Sequence, residues 1–343
     1  MAFSTITEAD FRKKIADIPG RAFLFYGDED YLKSVAVRLA RETLCPDPAF
    51  AIFNDVTIDR LDYTPEGLLD AMMPPPMMTE ARLILLRGFD FTKFQDELED
   101  FLAVLAQLKD YDYNTVIIHV AADLIDPGNA KRPGATFKRL AEVATPVHFP
   151  AQTDARLAVW AGKHFQHLGV EAAPALCAKL IEHAGRSMFV LANEIEKLAA
   201  YVKFNGRTAL DLADIHTVAA PNGEIEAYAL TNAILDGKSA QALEVLSVMK
   251  FERKPPAIIL SEIATAFSDI YRIKLFLTAG KTKQDIIALT KMHHFKVGLL
   301  IQSAGRTDEA RLHRAIELTA TADAAIKNSY NDYGPIERLI TAL

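Results

Sequence analysis

The spacing of apolar positions changes character once along the 343 residues, near residue 150. Before that point, compact apolar runs alternate with stretches of helical period. Residues 4–19 read as a short helix with Phe11 and Ile15 as an i, i+4 pair, stopped by Pro19-Gly20. Ala22 to Tyr26 is a buried strand, and a helix follows Gly27 as far as about Leu44. Ala51 to Val56 reads as a second strand, and Thr64-Pro65 opens a helix with Leu68, Leu69, Met72 and Met73 on its buried face. Leu83 to Leu86 and Thr115 to Val120 are further buried strands, separated by an amphipathic stretch from Phe94 to Leu108. Strands alternating with helices imply an α/β domain with a parallel sheet, ending near Pro150.

From Thr153 onward the pattern is helical throughout. One group of helices starts at Asp154, Pro174, Met188 and Thr208, with Gly169, Gly185 and Gly206 as stops. Pro221-Asn222-Gly223 reads as a linker. A second group follows: Tyr228 to Leu235, Ala240 to Met249, a long helix from Pro255-Pro256 to Gly280, then about Thr282 to Lys291, Phe295 to Ala304, Thr307 to Lys327 and Pro335 to Leu343. The expected division is 1–150, 151–221 and 222–343.

Composition narrows the class. Half of the residues are hydrophobic and 24% are charged, an ordinary globular balance. Apolar runs stay far below the roughly 20 residues of a membrane span, and the start MAFSTITEADFRKK has no signal-peptide core. Cys45 and Cys177 lack metal-ligand spacing and read as reduced thiols of a cytoplasmic protein. The charge is uneven: residues 1–150 hold 16 Lys+Arg against 24 Asp+Glu, a net of −8, while 151–223 balance at 7 against 7. Residues 224–343 hold 15 against 14, so no segment has the basic excess of an autonomous DNA-binding module.

The first strand–helix junction carries the strongest chemical signal. Gly27 is followed six positions later by Lys33 and then Ser34, the register of the first glycine, lysine and hydroxyl in a phosphate-binding P-loop. The rest of that loop opposes a nucleotide. Leu32 replaces the second glycine, and Asp28, Glu29 and Asp30 line the turn. Each like-charge pair at 4 Å costs about 4 kcal/mol at an effective dielectric constant of 20. The acids that would hold Mg²⁺ are also missing, because the strand Leu83 to Leu86 runs into Arg87-Gly88. The competing reading is a chance Lys-Ser in an ordinary strand–helix turn. His119, inside a buried strand, reads as a core or edge histidine rather than a ligand. No nucleophile elbow, H-E-x-x-H, paired-cysteine motif or glycine-rich dinucleotide fingerprint occurs, and residues 115–150 lack a Ser-Arg-Cys segment.

The stretch Met73 to Leu86, MPPPMMTEARLILL, leaves two readings open. Three prolines enforce an extended course that delivers Met77 and Met78 to a turn at the mouth of a strand. The two methionines are either an exposed apolar plug for a partner's pocket or gap-filling core residues. Near the C-terminus, Lys281, Lys283, Lys291, His293, His294 and Lys296 form a modest basic neighbourhood, most simply a solvated helix face. Tyr330 and Tyr333 are candidates for stacking on a base, with ordinary loop packing as the alternative.

Taken in order, LFYGDEDYLKSVAVRLA, PMMTEARLILLRG, TVIIHVAADLID, LAVWAGKHFQHLG, FVLANEIEKLAAYV, YALTNAILDGKSAQALEVLSVM and ADAAIKNSY resemble the delta subunit of the bacterial DNA polymerase III clamp loader over essentially the whole chain. That resemblance implies an AAA+-like α/β domain with a degenerate P-loop (Gly27, Leu32, Lys33, Ser34), a helical lid, and a helical collar that joins a ring with ATPase subunits and delta-prime. It implies no cofactor and no hydrolysis by this chain, which would instead open the sliding clamp, with primer–template DNA inside the assembly. Relatives often carry Pro-Phe-Phe-Ser-Glu-Arg-Arg-Leu where this chain has Pro76 to Leu83, which places Met77 and Met78 at the two apolar positions that enter the clamp's pocket. The resemblance leaves Tyr330 as a possible DNA contact. The alternative function is a divergent P-loop ATPase of DNA metabolism using Lys33 and Ser34.

Overall fold

The computed structural model describes residues 5–129, 132–221, 223–290, 292, 294–328 and 332–343. The chain forms two compact units, Met1–Leu157 and Ala158–Leu343.

The first unit is built on a six-stranded, all-parallel sheet. Its strands are β1 (Ile6–Thr7), β2 (Arg21–Tyr26), β3 (Asp55–Asp59), β4 (Arg82–Arg87), β5 (Asn114–His119) and, near its end, Thr145–His148. Between β5 and that last strand lies a separate antiparallel pair, β6 (Gly128–Asn129) and β7 (Arg132–Pro133), so the last strand is β8. The order across the sheet is β1-β8-β2-β5-β4-β3. Helices α1 (Glu8–Lys13), α2 (Asp30–Leu44), α3 (Ala51–Asn54), α4 (Pro65–Met72), α5 (Leu98–Leu105) and α6 (Ala135–Val143) connect the strands. This is the expected α/β domain with a parallel sheet. One face of the sheet buries Leu24, Ile84, Leu86, Val116 and Ile118 against Leu68, Met72 and a knot of rings, Tyr63, Phe89, Phe91, Phe94 and Phe101, with centroids 5.2–6.1 Å apart. On the other, Phe11 meets Phe23 and Phe25 edge-on at 5.1 and 4.9 Å.

Three local readings change. The N-terminal helix is shorter than 4–19: a capping box between Thr7 and Asp10 fixes its start at Glu8, and Ile6–Thr7 pairs with β8 instead. Residues 51–56 are not one strand. Asp47 Oδ1 accepts the Ala49 N–H at 2.9 Å, and the bonds from Phe50 and Ala51 back to Asp47 and Pro48 wind the chain into helix α3 before β3 begins at Asp55. Strand β8 carries Pro146, which is tolerated because β1 is too short to pair there and Pro146 faces only Leu24 of β2.

In the second unit, every described strand-like pairing reduces to one isolated bridge, Glu171 with Ala209. Helices α7 (Asp154–His167, which begins in the first unit), α8 (Pro174–Ala184), α9 (Met188–Phe204) and α10 (Leu212–Val218) come first. They are followed by α11 (Gly223–Leu235), α12 (Ser239–Phe251), α13 (Pro256–Thr278), α14 (Lys283–Thr290), α15 (His294–Arg306), α16 (Glu309–Lys327) and α17 (Gly334–Ala342). The later group shares a core of Leu230, Leu246, Ile263, Phe267, Leu300, Leu312 and Ile336 around the long α13. Lys274 of α13 donates to the Ala304 and Thr307 carbonyls at 3.0 and 2.6 Å, closing the C-terminal end of α15. No helix among the described residues is long and apolar enough to cross a membrane.

Candidate functional site

The carboxyl edge of a parallel sheet is where open α/β folds bind ligands. Here one register row crosses that edge: Asp59, Arg87, His119, Phe25 and Val147. Arg87 grips Asp59 through two bonds of 2.6 and 3.0 Å, and each holds the other charged, with the carboxyl below its usual range. The position expected to lack Mg²⁺ acids is thus filled by an ion pair. Burial, with Lys33 adding repulsion, pushes the His119 imidazole pKa down, so it is a neutral, half-buried edge histidine. No group of three or more His, Cys, Asp or Glu able to hold a metal occurs among the described residues.

The turn from Gly27 to Ser34 is closed by its own lysine. Lys33 is fully buried and donates to the Gly27 carbonyl at 2.8 Å and the Val120 carbonyl at 2.6 Å, while its ammonium lies 2.6 Å from Asp30. Leu32 is buried and Ser34 is exposed. Gly27 has φ +111°, and a Cβ there would stand 2.4 Å from the Phe149 carbonyl oxygen, so close packing against the end of β8 is reason enough for glycine. The Glu29 N–H, an amide a phosphate cradle would offer, donates to that same carbonyl at 3.1 Å. Burial also raises the Glu29 pKa, with Asp30 adding to it.

The Met77–Met78 loop is organised in the opposite sense. Thr64 caps α4 by accepting the Gly67 N–H at 2.9 Å, Pro65 takes the first helical position, and α4 ends at Met72. From there to β4 the main chain is held by side chains. Asn114 donates to the Met72 carbonyl at 2.9 Å and Tyr113 to the Met73 carbonyl at 2.7 Å. Arg82, only 3% exposed, donates to the Ala71, Pro74 and Phe53 carbonyls at 2.7, 2.8 and 3.0 Å. Asn54, at the end of α3, grips Met77 from both sides: its Oδ1 accepts the Met77 N–H at 2.8 Å and its Nδ2 donates to the Met77 carbonyl at 2.7 Å. Burial draws the Arg82 pKa down from its ordinary value, and the three carbonyls, one of them at the negative end of α4, replace the water it has lost.

This cradle turns side chains outward. Met77 is 45% exposed and Met78 80%, with Pro76 half-buried behind them and Met73 51% exposed beside them. Met78 has φ +56°, a left-handed conformation costly for a residue with a side chain. Of the two readings of these methionines, core filling is excluded by that exposure.

Asn54, Arg82, Tyr113 and Asn114 were not marked as site residues by the sequence. Their local sign in the sequence is a polar residue opening an apolar run, Arg82 at the start of β4 and Asn114 at the start of β5. Tyr330, Lys291 and His293 lie outside the described residues. Tyr333 packs its ring 5.2 Å from the Lys250 ammonium and donates to the Lys254 carbonyl at 2.8 Å, an internal role. Lys296 pairs with Asp269 at 3.2 Å, while Lys281 and Lys283 are exposed.

Comparison with known proteins gives a consistent result. The family model for the DNA polymerase III delta subunit, C-terminal domain, matches residues 224–341. The DNA polymerase III subunit delta of Bacillus subtilis is 25% identical over 320 residues, covering 90% of this chain and 88% of that protein. The solved structure of the Bacillus subtilis DNA clamp loader delta protein superposes with a TM-score of 0.70 at 19% identity, covering 98% of each chain.

Proposed function

We propose that the chain is a delta subunit of the DNA polymerase III clamp loader, a reading its similarity to that family supports, and that it binds and opens the sliding clamp through Met77 and Met78 and hydrolyses no ATP itself. Its place is in clamp loading during replication, in a complex with the clamp and other clamp-loader subunits. The observation that carries the reading is the loop from Met72 to Met77, whose main chain is fixed by Asn54, Arg82, Tyr113 and Asn114 while Met77 and Met78 face solvent. A pre-formed loop loses little entropy on binding, so the burial of its side chains converts efficiently into affinity.

The mechanism is mechanical. Nucleotide binding by the ATPase subunits reshapes the assembly and brings this loop to the clamp. Burial of Met77 and Met78 contributes roughly 1.5–3 kcal/mol each when complete. That suffices to bias a clamp interface near its opening threshold, because a partner need only bind the open state better than the closed one. Residues 1–150 act as the clamp-binding domain, 151–221 as a lid and 222–343 as the collar that joins the ATPase subunits and delta-prime around primer–template DNA. The match of the delta C-terminal family model to 224–341 supports the last assignment.

Replacing both Met77 and Met78 by Asp is expected to abolish binding to the sliding clamp of the same organism while leaving the thermal midpoint and collar assembly unchanged. Clamp affinity equal to that of the parent chain would remove the reading. The lack of ATPase activity is supported by the engagement of Lys33 with two carbonyls and Asp30. Titration calorimetry with ATP and Mg²⁺ is expected to give no heat of binding, and saturable heat abolished by Lys33→Ala would establish the rival, a divergent P-loop ATPase.

A further inference from the structure

Two methionines make a small interface. A stable protein–protein contact buries about 800 Å² per partner, and even a large aromatic side chain covers only about 150–250 Å². Two such side chains supply at most about 500 Å², so a substantial share of the area must come from neighbours of the plug. The strongest candidates sit on α3, which the sequence alone presents as a strand. Its Ile52 is 80% exposed and its Phe53 50%, although both are large and apolar. They are not independent of the plug. Asn54, the next residue, holds the Met77 main chain on both sides, and one guanidinium, that of Arg82, bonds the Phe53 and Pro74 carbonyls together. The helical turn and the methionine loop therefore form one rigid body with two rows of outward apolar side chains, Ile52 and Phe53 on one segment, Met73, Met77 and Met78 on the other.

We propose that Ile52 and Phe53 are a second apolar prong that docks on the sliding clamp alongside Met77 and Met78, on an apolar strip of the clamp next to the pocket that takes the methionines. The proposal rests on the clamp-binding reading above. The occupant follows from continuity: a surface that seats on Met77 and Met78 meets α3 next, through a seam whose main-chain groups are already bonded to Asn54 and Arg82. The seam thus offers a partner apolar side chains rather than free donors, and the complementary surface must be apolar too. The two prongs also explain why the connection between them is buried and polar. Their spacing is set by hydrogen bonds to main-chain atoms, so both reach a partner in fixed relation.

The test uses the full chain and the sliding clamp of the same organism, with affinity read by surface-immobilised binding. Ile52→Ser with Phe53→Ser is expected to raise Kd at least tenfold with an unchanged thermal midpoint, while Ile52→Leu with Phe53→Leu stays near the parent value. Loss of binding in both pairs would point to disturbance of Asn54 rather than lost contact, and would overturn the proposal. Unchanged affinity of the serine pair, with binding abolished by Met77→Asp and Met78→Asp, overturns the second prong and leaves the plug standing. Unchanged affinity of the aspartate pair removes the plug itself and with it this inference. Sedimentation of the free chain closes the remaining route: dimers that the serine pair dissolves would assign α3 to self-association instead.

Discussion

The closed phosphate loop and the methionine loop lie on the same sheet and use the same device with opposite results. Each is held by a buried cation that gives its hydrogen bonds to main-chain carbonyls: Lys33 to Gly27 and Val120, Arg82 to Phe53, Ala71 and Pro74. Around Lys33 the device draws the turn inward. The ammonium meets the Gly27 and Val120 carbonyls and Asp30, and the turn is drawn into packing. Around Arg82 it does the reverse, fixing a loop with no regular structure of its own so that apolar side chains stay outside. Buried cations are costly unless their donors are satisfied, so each network commits its loop to one conformation. What differs is where the neighbouring side chains point.

Four substitutions break or sharpen this comparison, in falling order of effect. Lys33→Ala strands two carbonyls and leaves Asp30 beside Asp28 and Glu29 without its cation. A loss of roughly 4 kcal/mol is expected in denaturant unfolding, with clamp affinity of the remaining folded chain unchanged. Arg82→Ala frees three carbonyls that span α3, α4 and the proline segment. About 3 kcal/mol of stability should go, and here clamp affinity should fall as well, because the loop loses its fixed shape. If Arg82→Ala lowered stability alone, the two networks would be equivalent scaffolding and the contrast would collapse. Asn54→Ala, removing both bonds to Met77, is expected to cost about 1–2 kcal/mol and several-fold in clamp affinity, although no side chain at the plug has changed. The smallest change has opposite signs in its two readouts. Met78→Gly relieves the φ of +56° and should raise stability by about 0.5 kcal/mol, while weakening clamp binding by removing the more exposed anchor.

The legible part of this molecule was the part with a period. Strands β2, β4 and β5 and the helices after residue 153 follow directly from apolar spacing, as does the parallel α/β class. The register of Gly27, Lys33 and Ser34 predicted the strand–helix junction, although not that Lys33 would be buried against the Gly27 and Val120 carbonyls. The cradle of the methionine loop was not legible. Its bonds join residues 8, 11, 23, 29, 40 and 42 positions apart, and a side chain bonded to main chain leaves no repeat to detect. Alternation in Ala51 to Val56 was equally compatible with a strand, and the Asp47 turn decided for a helix. That single difference places Asn54 at the end of α3, where it bonds the Met77 main chain on both sides.

The way Asn54, Arg82, Tyr113 and Asn114 bond has a consequence for how this protein can vary. All of their contacts with residues 71–77 end on main-chain N–H or carbonyl groups, and none on a side chain. The scaffold is therefore blind to which side chains the loop carries. Identity at positions 77 and 78 can change between methionine, leucine and phenylalanine without re-engineering the fold beneath. The course of the loop is written in β4, β5 and α3, and the surface it presents is written in its own exposed side chains.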